Sequence, residues 1–176
     1  MRELRPTSNL VKQALFNILY SVKSKDFLDL FAGTGQIGMA ALEKGAKSVV
    51  FVDIERERIN QIKEKLKNVE NVKSVSKDVL KYLKDQPNES FDIVFADPPY
   101  DYKYYDKLIK EGLRVLRNGG MLIVEHRFKN DLSSIEPDFY VESRKYGDTV
   151  ISFWRKEWQP KYVFTRERLT LFILGI

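Results

Sequence analysis

The residues best suited to chemistry are Asp97-Pro98-Pro99-Tyr100, which directly follow an apolar run at residues 91–96. Two consecutive prolines remove two backbone donors, so the carbonyls of this segment have few internal partners. An amino group can donate one hydrogen to Asp97 and the other to the Pro98 carbonyl, while Tyr100 stacks on the ring that bears the amine. The alternative is a plain strand-to-loop exit in which Asp97 caps a turn. We favour the first interpretation, a clamp for a flat substrate with an amino group.

A glycine-rich turn, Gly33-Thr34-Gly35-Gln36-Ile37-Gly38, follows a predicted strand at residues 26–31 and satisfies the G-x-G-x-x-G fingerprint of dinucleotide-binding folds. Glycines let the backbone approach a ligand closely at the start of a helix. Asp53 ends the next strand, where its carboxylate can accept hydrogen bonds from both hydroxyls of a ribose. On these features alone, NAD and S-adenosylmethionine fit equally well.

Two further carboxylates distinguish a site for S-adenosylmethionine from a site for NAD. Asp29 lies just before the glycines, where a pyrophosphate gains nothing from extra negative charge but a sulfonium with an amino-acid tail does. Asp78 follows the third predicted strand and can hydrogen-bond an adenine amino group together with the Val79 backbone. The alternative makes Asp29 and Asp78 helix or turn caps. The pattern therefore favours S-adenosylmethionine, with the capping alternative open.

Strands and helices alternate at the spacing of right-handed crossovers, which predicts a parallel sheet covered by helices. The expected helices lie near residues 8–22, 39–44, 55–67, 79–83 and 105–117, the last capped by Asn118-Gly119-Gly120, and the strands near residues 26–31, 48–52, 72–75, 91–96 and 121–125. Residues 139–144 and 149–154 flank Tyr146-Gly147-Asp148 and predict an antiparallel hairpin. The expected fold is α/β and Rossmann-like, with a mostly parallel seven-stranded sheet that ends in this hairpin.

The composition limits the possible kinds of site. The 176 residues contain no cysteine, and His126 is the only histidine, so we expect no disulfide, no cysteine nucleophile and no metal site. His126 itself is interpreted as a polar strand terminus. With 30 basic and 25 acidic residues the net charge is +5, which suits a polyanionic partner without proving one.

The chain is long enough for one domain, and we expect it to lie within residues 1–157. Residues 158–176 form an apolar and charged tail, which we expect to pack on this domain or on a second copy, giving a monomer or a weak dimer. No apolar run is long enough to span a bilayer, and the first residues lack the apolar core of a signal peptide. We therefore expect a cytoplasmic protein with no membrane partner.

Residues 28–35 together with the Asp97–Tyr100 tetrapeptide resemble the class I S-adenosylmethionine-dependent methyltransferases that modify exocyclic amines. More narrowly, Arg5-Pro6-Thr7-Ser8, the run at residues 14–19 and the run at residues 119–125 are similar to the RsmD family. Those enzymes methylate the exocyclic N2 amine of a guanine in bacterial small-subunit ribosomal RNA. The resemblance covers about residues 4–157. It departs from the family before the Arg-Pro-Thr segment, where relatives carry a basic hairpin.

The resemblance implies a role for each matching residue. Asp97, Pro98, Pro99 and Tyr100 would hold the target guanine as the catalytic set. The cofactor would be S-adenosylmethionine, bound by Asp29, Phe31, Ala32, Gly33, Thr34, Gly35, Gly38, Asp53, Ile54, Asp78, Val79 and Thr7. Within this set the loop from Asp29 to Gly38 would cradle the methionine part, while Asp53 contacts the ribose and Asp78 the adenine.

We therefore expect methyl transfer to ribosomal RNA within a small-subunit particle. Phosphate contacts are expected from Arg5, Lys12, Lys103, Lys107 and Arg127, with additional stacking by Tyr102, Tyr104 and Tyr105. One alternative is an adenine-N6 DNA methyltransferase, because the same tetrapeptide serves adenine. Two weaker alternatives are an NAD-dependent oxidoreductase and a non-catalytic RNA-binding module.

Overall fold

A computed structural model describes residues 9–19 and 21–157 of the chain. Its strands form one seven-stranded sheet in the order β3-β2-β1-β4-β5-β7-β6. The helices are α1 Asn9–Ile18, α2 Gln36–Glu43, α3 Arg56–Lys65, α4 Val79–Lys84 and α5 Tyr105–Val115, and the strands are β1 Asp26–Leu30, β2 Ser48–Asp53, β3 Val72–Ser76, β4 Phe91–Ala96, β5 Leu116–Arg127, β6 Tyr140–Tyr146 and β7 Thr149–Arg155. This confirms the predicted fold class.

The sheet is parallel from β3 to β5, and β7 and β6 complete it as antiparallel neighbours. The chain goes outward from β1 to β3, then returns to place β4 on the other side of β1. At such a reversal the loops after the two central strands diverge, which opens a crevice at their carboxyl ends. The fold therefore positions a site after β1 and β4.

Two hydrophobic cores cover the two faces of the sheet. On the first face, Phe27, Phe51 and Phe95 pack with buried side chains of α1, α2 and α3. On the second face, Leu28, Val94 and other strand residues pack with α4 and α5. Successive side chains of a strand point to opposite faces of the sheet. Every second residue after a core residue therefore points to the same face as that core residue.

Several predicted element bounds were wrong. Helix α1 ends at Ile18 rather than near residue 22, and α2 begins at Gln36 rather than residue 39. Asn118-Gly119-Gly120 does not cap α5, because Leu116 already has extended backbone angles and these residues belong to β5. A Cβ on Gly120 would lie 2.8 Å from the Asp92 carbonyl oxygen, so this glycine permits close strand approach rather than a helix stop.

Within residues 9–19 and 21–157, no helix has the length and apolar character needed to cross a bilayer. Arg5, Thr7 and the tail at residues 158–176 lie outside the described residues. The predictions made for them, and the domain boundary at residue 157, stay predictions.

Candidate active site

Three carboxylates lie on the first face at the carboxyl ends of β1, β4 and β5. Asp29, Asp97 and Glu125 each stand two residues after a member of the first-face core, namely Phe27, Phe95 and Ile123. The three strands are neighbours in the sheet. The alternation of side chains therefore brings the three acids to the same edge and the same side.

Asp29 stabilises the start of α2 from the neighbouring strand. Its Oδ2 accepts a hydrogen bond of 2.9 Å from the backbone N–H of Gly38, in the first turn of the helix, and only 2% of Asp29 is exposed. A Cβ on Gly38 would lie 2.2 Å from the Phe51 ring, so glycine is required there for α2 to approach β2. Asp29 thus acts as a helix cap, which was the alternative left open.

The glycine turn has left-handed backbone angles at Gly33 and Gly35, with φ of 54° and 79°. Phe31 shares this conformation with φ of 58°, which is uncommon for a residue with a side chain. Asp53 holds the turn, because its Oδ2 accepts from the Gly33 N–H at 2.8 Å and its Oδ1 from the Glu55 N–H at 2.9 Å. The loop after β1 and the loop after β2 are therefore joined through one buried carboxylate.

The loop after β2 exposes an apolar side chain, and the loop after β3 ends at an acidic helix cap. Ile54 follows Asp53 and is 60% exposed, which is unusual for a large aliphatic residue. Asp78 is the N-cap of α4, and its Oδ1 accepts from the Lys81 N–H at 3.0 Å. The capping role of Asp78 is thus present in the structure, while Val79 beside it is buried.

The tetrapeptide after β4 makes few backbone hydrogen bonds with the described residues. The Asp97 N–H donates to the Leu30 carbonyl at 3.4 Å, and the Pro99 carbonyl accepts from the Tyr102 N–H at 2.9 Å. Among the described residues, no donor reaches the Pro98 carbonyl. The Asp97 carboxyl and the Pro98 carbonyl are therefore two acceptors within two residues at the mouth of the crevice.

The three carboxyl groups of the crevice, Asp29, Asp97 and Glu125, all have raised pKa values. Burial raises the pKa of Asp97 to about 7. Burial, and then the charge of Asp97, raise the pKa of Glu125 to about 8. For Asp29, burial outweighs the Gly38 hydrogen bond, and the charges of Asp97 and Asp53 add to it, so the pKa lies well above its ordinary value. No Lys or Arg of the described ranges forms a salt bridge with Asp29, Asp97 or Glu125. Such a site favours a cation.

A basic side chain lies over each of three exposed aromatic rings. The Arg127 guanidinium lies 4.1 Å from the Tyr100 ring centroid. The corresponding distances are 5.4 Å for Lys107 over the Tyr104 ring and 4.7 Å for Lys145 over the Phe128 ring. Tyr100, Tyr104 and Phe128 are 46–54% exposed. We call these three pairs the aromatic–cation rim.

Other aromatic residues near the tetrapeptide are used for packing. Tyr102 makes edge-to-face contacts with Phe31, Tyr104 and Tyr105 at centroid distances of 5.3–5.9 Å, and Tyr105 is buried. His126 is buried, with one ring nitrogen 2.7 Å from the Ser152 Oγ and the other 3.0 Å from the Arg127 carbonyl. Both ring nitrogens are thus occupied by the protein, as expected of a polar strand terminus.

Sequence reasoning missed Glu125, Phe128 and Lys145. Glu125 closes the apolar run of β5 and follows Ile123 at a spacing of two, so strand alternation could have placed it on the face that Asp97 shares. Phe128 directly follows β5, and Lys145 lies in β6. Nothing local in the sequence indicates that these two side chains are in contact. That pairing depends on how the hairpin folds back.

This sheet order, a carboxylate before a glycine turn after β1 and an Asp-Pro-Pro-Tyr turn after β4 define the class I S-adenosylmethionine-dependent methyltransferase fold. A solved structure with this fold is the Thermus thermophilus 16S rRNA N2 G1207 methyltransferase (RsmC) in complex with AdoMet and guanosine. It has a TM-score of 0.73 and 22% identity, and the match covers 88% of this chain and 44% of that one. At this identity the likeness shows the fold.

The chain belongs to the RsmD-like family described as Conserved hypothetical protein 95, whose model matches residues 1–155. It is 34% identical over 118 residues to the ribosomal RNA small subunit methyltransferase D of Buchnera aphidicola. It is 36% identical over 112 residues to the protein of the same name from Haemophilus influenzae. These matches cover 65% and 60% of this chain, and 60% and 58% of the two relatives. The chain thus matches less than two thirds of the length of either relative.

Proposed function

We propose that this chain transfers a methyl group from S-adenosylmethionine to the exocyclic N2 amine of a guanine in small-subunit ribosomal RNA. The observation that carries the proposal is the set of three uncompensated carboxyls at one edge of the sheet, beside a carbonyl with no donor among the described residues. A cationic cofactor gains from the carboxyls, and an amine with two hydrogens matches the acceptor pair. The names of the RsmD relatives support the RNA substrate.

The cofactor would lie across the carboxyl ends of β1, β2 and β3. The turn from Phe31 through Ala32, Gly33, Thr34 and Gly35 to Gly38 would face its methionine part, with the Asp29 carboxyl behind the turn. Asp53 has a second acceptor position on each carboxylate oxygen for the ribose hydroxyls. Ile54 offers an apolar surface for a flat ring, with Asp78 and the Val79 backbone at its polar edge. When bound, the cofactor supplies an electrophilic methyl group.

Asp97 and Pro98 would orient the target nitrogen. A guanine amine is a weak nucleophile, because its lone pair is delocalised into the ring. Hydrogen bonds from its two hydrogens to the Asp97 carboxylate and the Pro98 carbonyl localise that pair and direct it away from the ring. The charge of Asp97 then stabilises the cationic nitrogen as it forms. The proton is lost easily from that cation, so alignment is the main demand on these residues.

The aromatic–cation rim supplies a surface for RNA. A target base must leave its stack to enter the crevice, and exposed rings with neighbouring cations can bind the flanking bases and phosphates. Tyr100 is the ring of this rim that follows Asp97 most closely in the chain, so it can stack on the target base itself. Lys103 adds positive charge within the same loop. The rim therefore favours a single-stranded or looped nucleic acid, within a particle or as naked RNA.

The experiment is transfer of labelled methyl from S-adenosylmethionine to small-subunit particles and to stripped RNA that lacks the modification, followed by nucleoside analysis. We expect label in N2-methylguanosine, lost in Asp97→Ala and kept in Asp138→Ala, which changes an exposed carboxylate with no contact to the crevice. Label in methyladenine of DNA would replace this proposal with the adenine alternative. Cofactor binding without transfer to any substrate would favour the binding module.

A further inference from the structure

One buried carboxylate oxygen at the carboxyl end of β5 has no hydrogen-bond donor among the described residues. Glu125 Oε2 is fully buried and has no hydrogen-bond partner among the described residues, and Tyr102 Oη is the other such side-chain atom there. Native structures rarely leave a buried carboxylate oxygen without a donor, because desolvation then goes uncompensated. A donor brought by a ligand would explain the arrangement.

The neighbour of Glu125 across the sheet is Asp97. Ala96 of β4 pairs with Val124 of β5, so the next residues, Asp97 and Glu125, lie side by side at the ends of parallel strands. Adjacent strands are about 4.8 Å apart, and both side chains point to the first face. A ligand that donates one hydrogen bond to Asp97 can therefore donate a second one to Glu125 from its adjacent atom.

Guanine and adenine differ at that neighbouring atom. In guanine the N2 amine stands beside N1–H, so two donors point in the same direction. In adenine the N6 amine stands beside an unprotonated N1, which is an acceptor. Enzymes that take a base out of its stack read it by hydrogen bonds to this edge. Two adjacent carboxyls match the guanine edge, whereas adenine places an acceptor against one of them.

We propose that the Glu125 carboxyl accepts the N1–H of the target guanine while Asp97 holds its N2 amine, so that Glu125 selects guanine over bases without that hydrogen. This inference rests on the function proposed above and assigns its base specificity to one side chain. Nothing in it requires Glu125 to take part in methyl transfer.

The test compares guanine with 2-aminopurine, which keeps the 2-amino group but lacks the N1 hydrogen. The methylated guanine, once located, is replaced by 2-aminopurine in ligated small-subunit RNA, and initial rates of methyl transfer are measured for both RNAs. We expect the natural chain to prefer guanine by about tenfold, because 2-aminopurine leaves the buried Glu125 acceptor without its donor. An equal rate on the two bases would overturn the inference without using any variant.

The second arm uses Glu125→Gln, with Glu70→Gln as an exposed control. The glutamine amide can either accept from N1–H or donate to an unprotonated N1, so the preference for guanine should fall toward unity. Glu70→Gln should keep the preference of the natural chain. A Glu125→Gln variant that loses rate equally on both bases would overturn the inference, because an equal loss indicates a structural role. Failure of the natural chain to methylate guanine would instead overturn the proposed function, and the inference with it.

Discussion

Individual carboxyl groups in the crevice are buried without a basic partner among the described residues. Asp97 has one backbone contact to β1 through its N–H, and its carboxyl has no basic partner among the described residues. Such burial is unfavourable to folding unless a ligand or a proton offsets it. The function of these side chains therefore depends on their protonation.

Asp97→Asn should lower the rate of methyl transfer by about a hundredfold or more. The amide keeps the shape of the side chain but loses the charge that stabilises the developing cation. Binding of S-adenosylmethionine should change little by comparison, because the loop of Gly33 and Asp53 remains. Single-turnover rates and calorimetric binding of the cofactor check the two parts. Loss of both to the same degree would contradict a role in the chemical step.

The stability of the folded chain should fall as the pH rises from 5 to 9. Folding raises the pKa of Asp97 to about 7 and that of Glu125 to about 8, in both cases mainly through burial. Their contribution is fully present below the unfolded pKa values near 4 and is lost as the pH passes through the folded values. Urea unfolding at a series of pH values measures this trend.

The matched variants for that trend are Glu125→Gln and Asp138→Asn. Glu125→Gln removes one of the titrating carboxyls, so its free energy of unfolding should depend less on pH between 6 and 9. Asp138→Asn changes an exposed carboxyl and should keep the dependence of the natural chain. Parallel curves for all three proteins would contradict the assignment to Glu125.

At the scale of elements, the position of α2 determines the shape of the glycine turn. The helix approaches β2 so closely that a side chain on Gly38 would overlap the Phe51 ring. Asp29 of β1 accepts a hydrogen bond from the backbone N–H of Gly38. The left-handed angles at Phe31, Gly33 and Gly35 complete the path from strand to helix. The turn is therefore held by contacts from two strands, not by its glycines alone.

Gly38→Ala should lower the free energy of unfolding by about 1–3 kcal/mol, because the added methyl group overpacks a rigid ring contact. Gly112→Ala is the comparison within a helix, since its Cβ would meet the Leu122 side chain at 3.0 Å rather than a ring at 2.2 Å. The higher helix propensity of alanine, about 1 kcal/mol, offsets part of that contact, so this change should cost less than Gly38→Ala. Denaturant unfolding compares the two. An equal effect at both positions would argue against a special constraint at Gly38.

At the scale of the whole molecule, the acids and the exposed rings occupy one edge of the sheet, and basic residues surround them. The net charge of +5 favours a polyanion in general, while the aromatic–cation rim gives that attraction a location. The same end of the sheet can therefore bind a cationic cofactor in the crevice and a polyanion at the aromatic–cation rim.

The double change Lys107→Ala and Lys145→Ala should weaken binding of RNA and reduce its dependence on salt. Each lost phosphate contact lowers the slope of log affinity against log salt by about 0.7–0.9. The control is Lys65→Ala with Lys73→Ala, two exposed lysines of α3 and β3, which removes the same net charge elsewhere. Fluorescence titration at several salt concentrations measures both. An equal loss in the two double variants would show that net charge, not the rim, controls binding.

Much of this architecture follows from local patterns in the chain. The alternation of apolar strands with amphipathic helices predicts the doubly wound sheet, and Tyr146-Gly147-Asp148 predicts the closing hairpin. Asp97 and its prolines are recognisable because rigid backbone, acceptor and ring are consecutive residues. These properties depend on neighbours in sequence, so the sequence is sufficient to predict them.

Contacts between distant residues depend on strand register and on how closely helices approach the sheet. Asp53 binds the Gly33 N–H across 20 residues, Phe51 excludes a side chain at Gly38, and Lys145 lies over the Phe128 ring. Glu125 stands beside Asp97 because β4 and β5 pair in one particular register. A shift of one residue would turn Glu125 to the other face. These neighbours are therefore known only from the folded chain, because packing of the two cores sets that register.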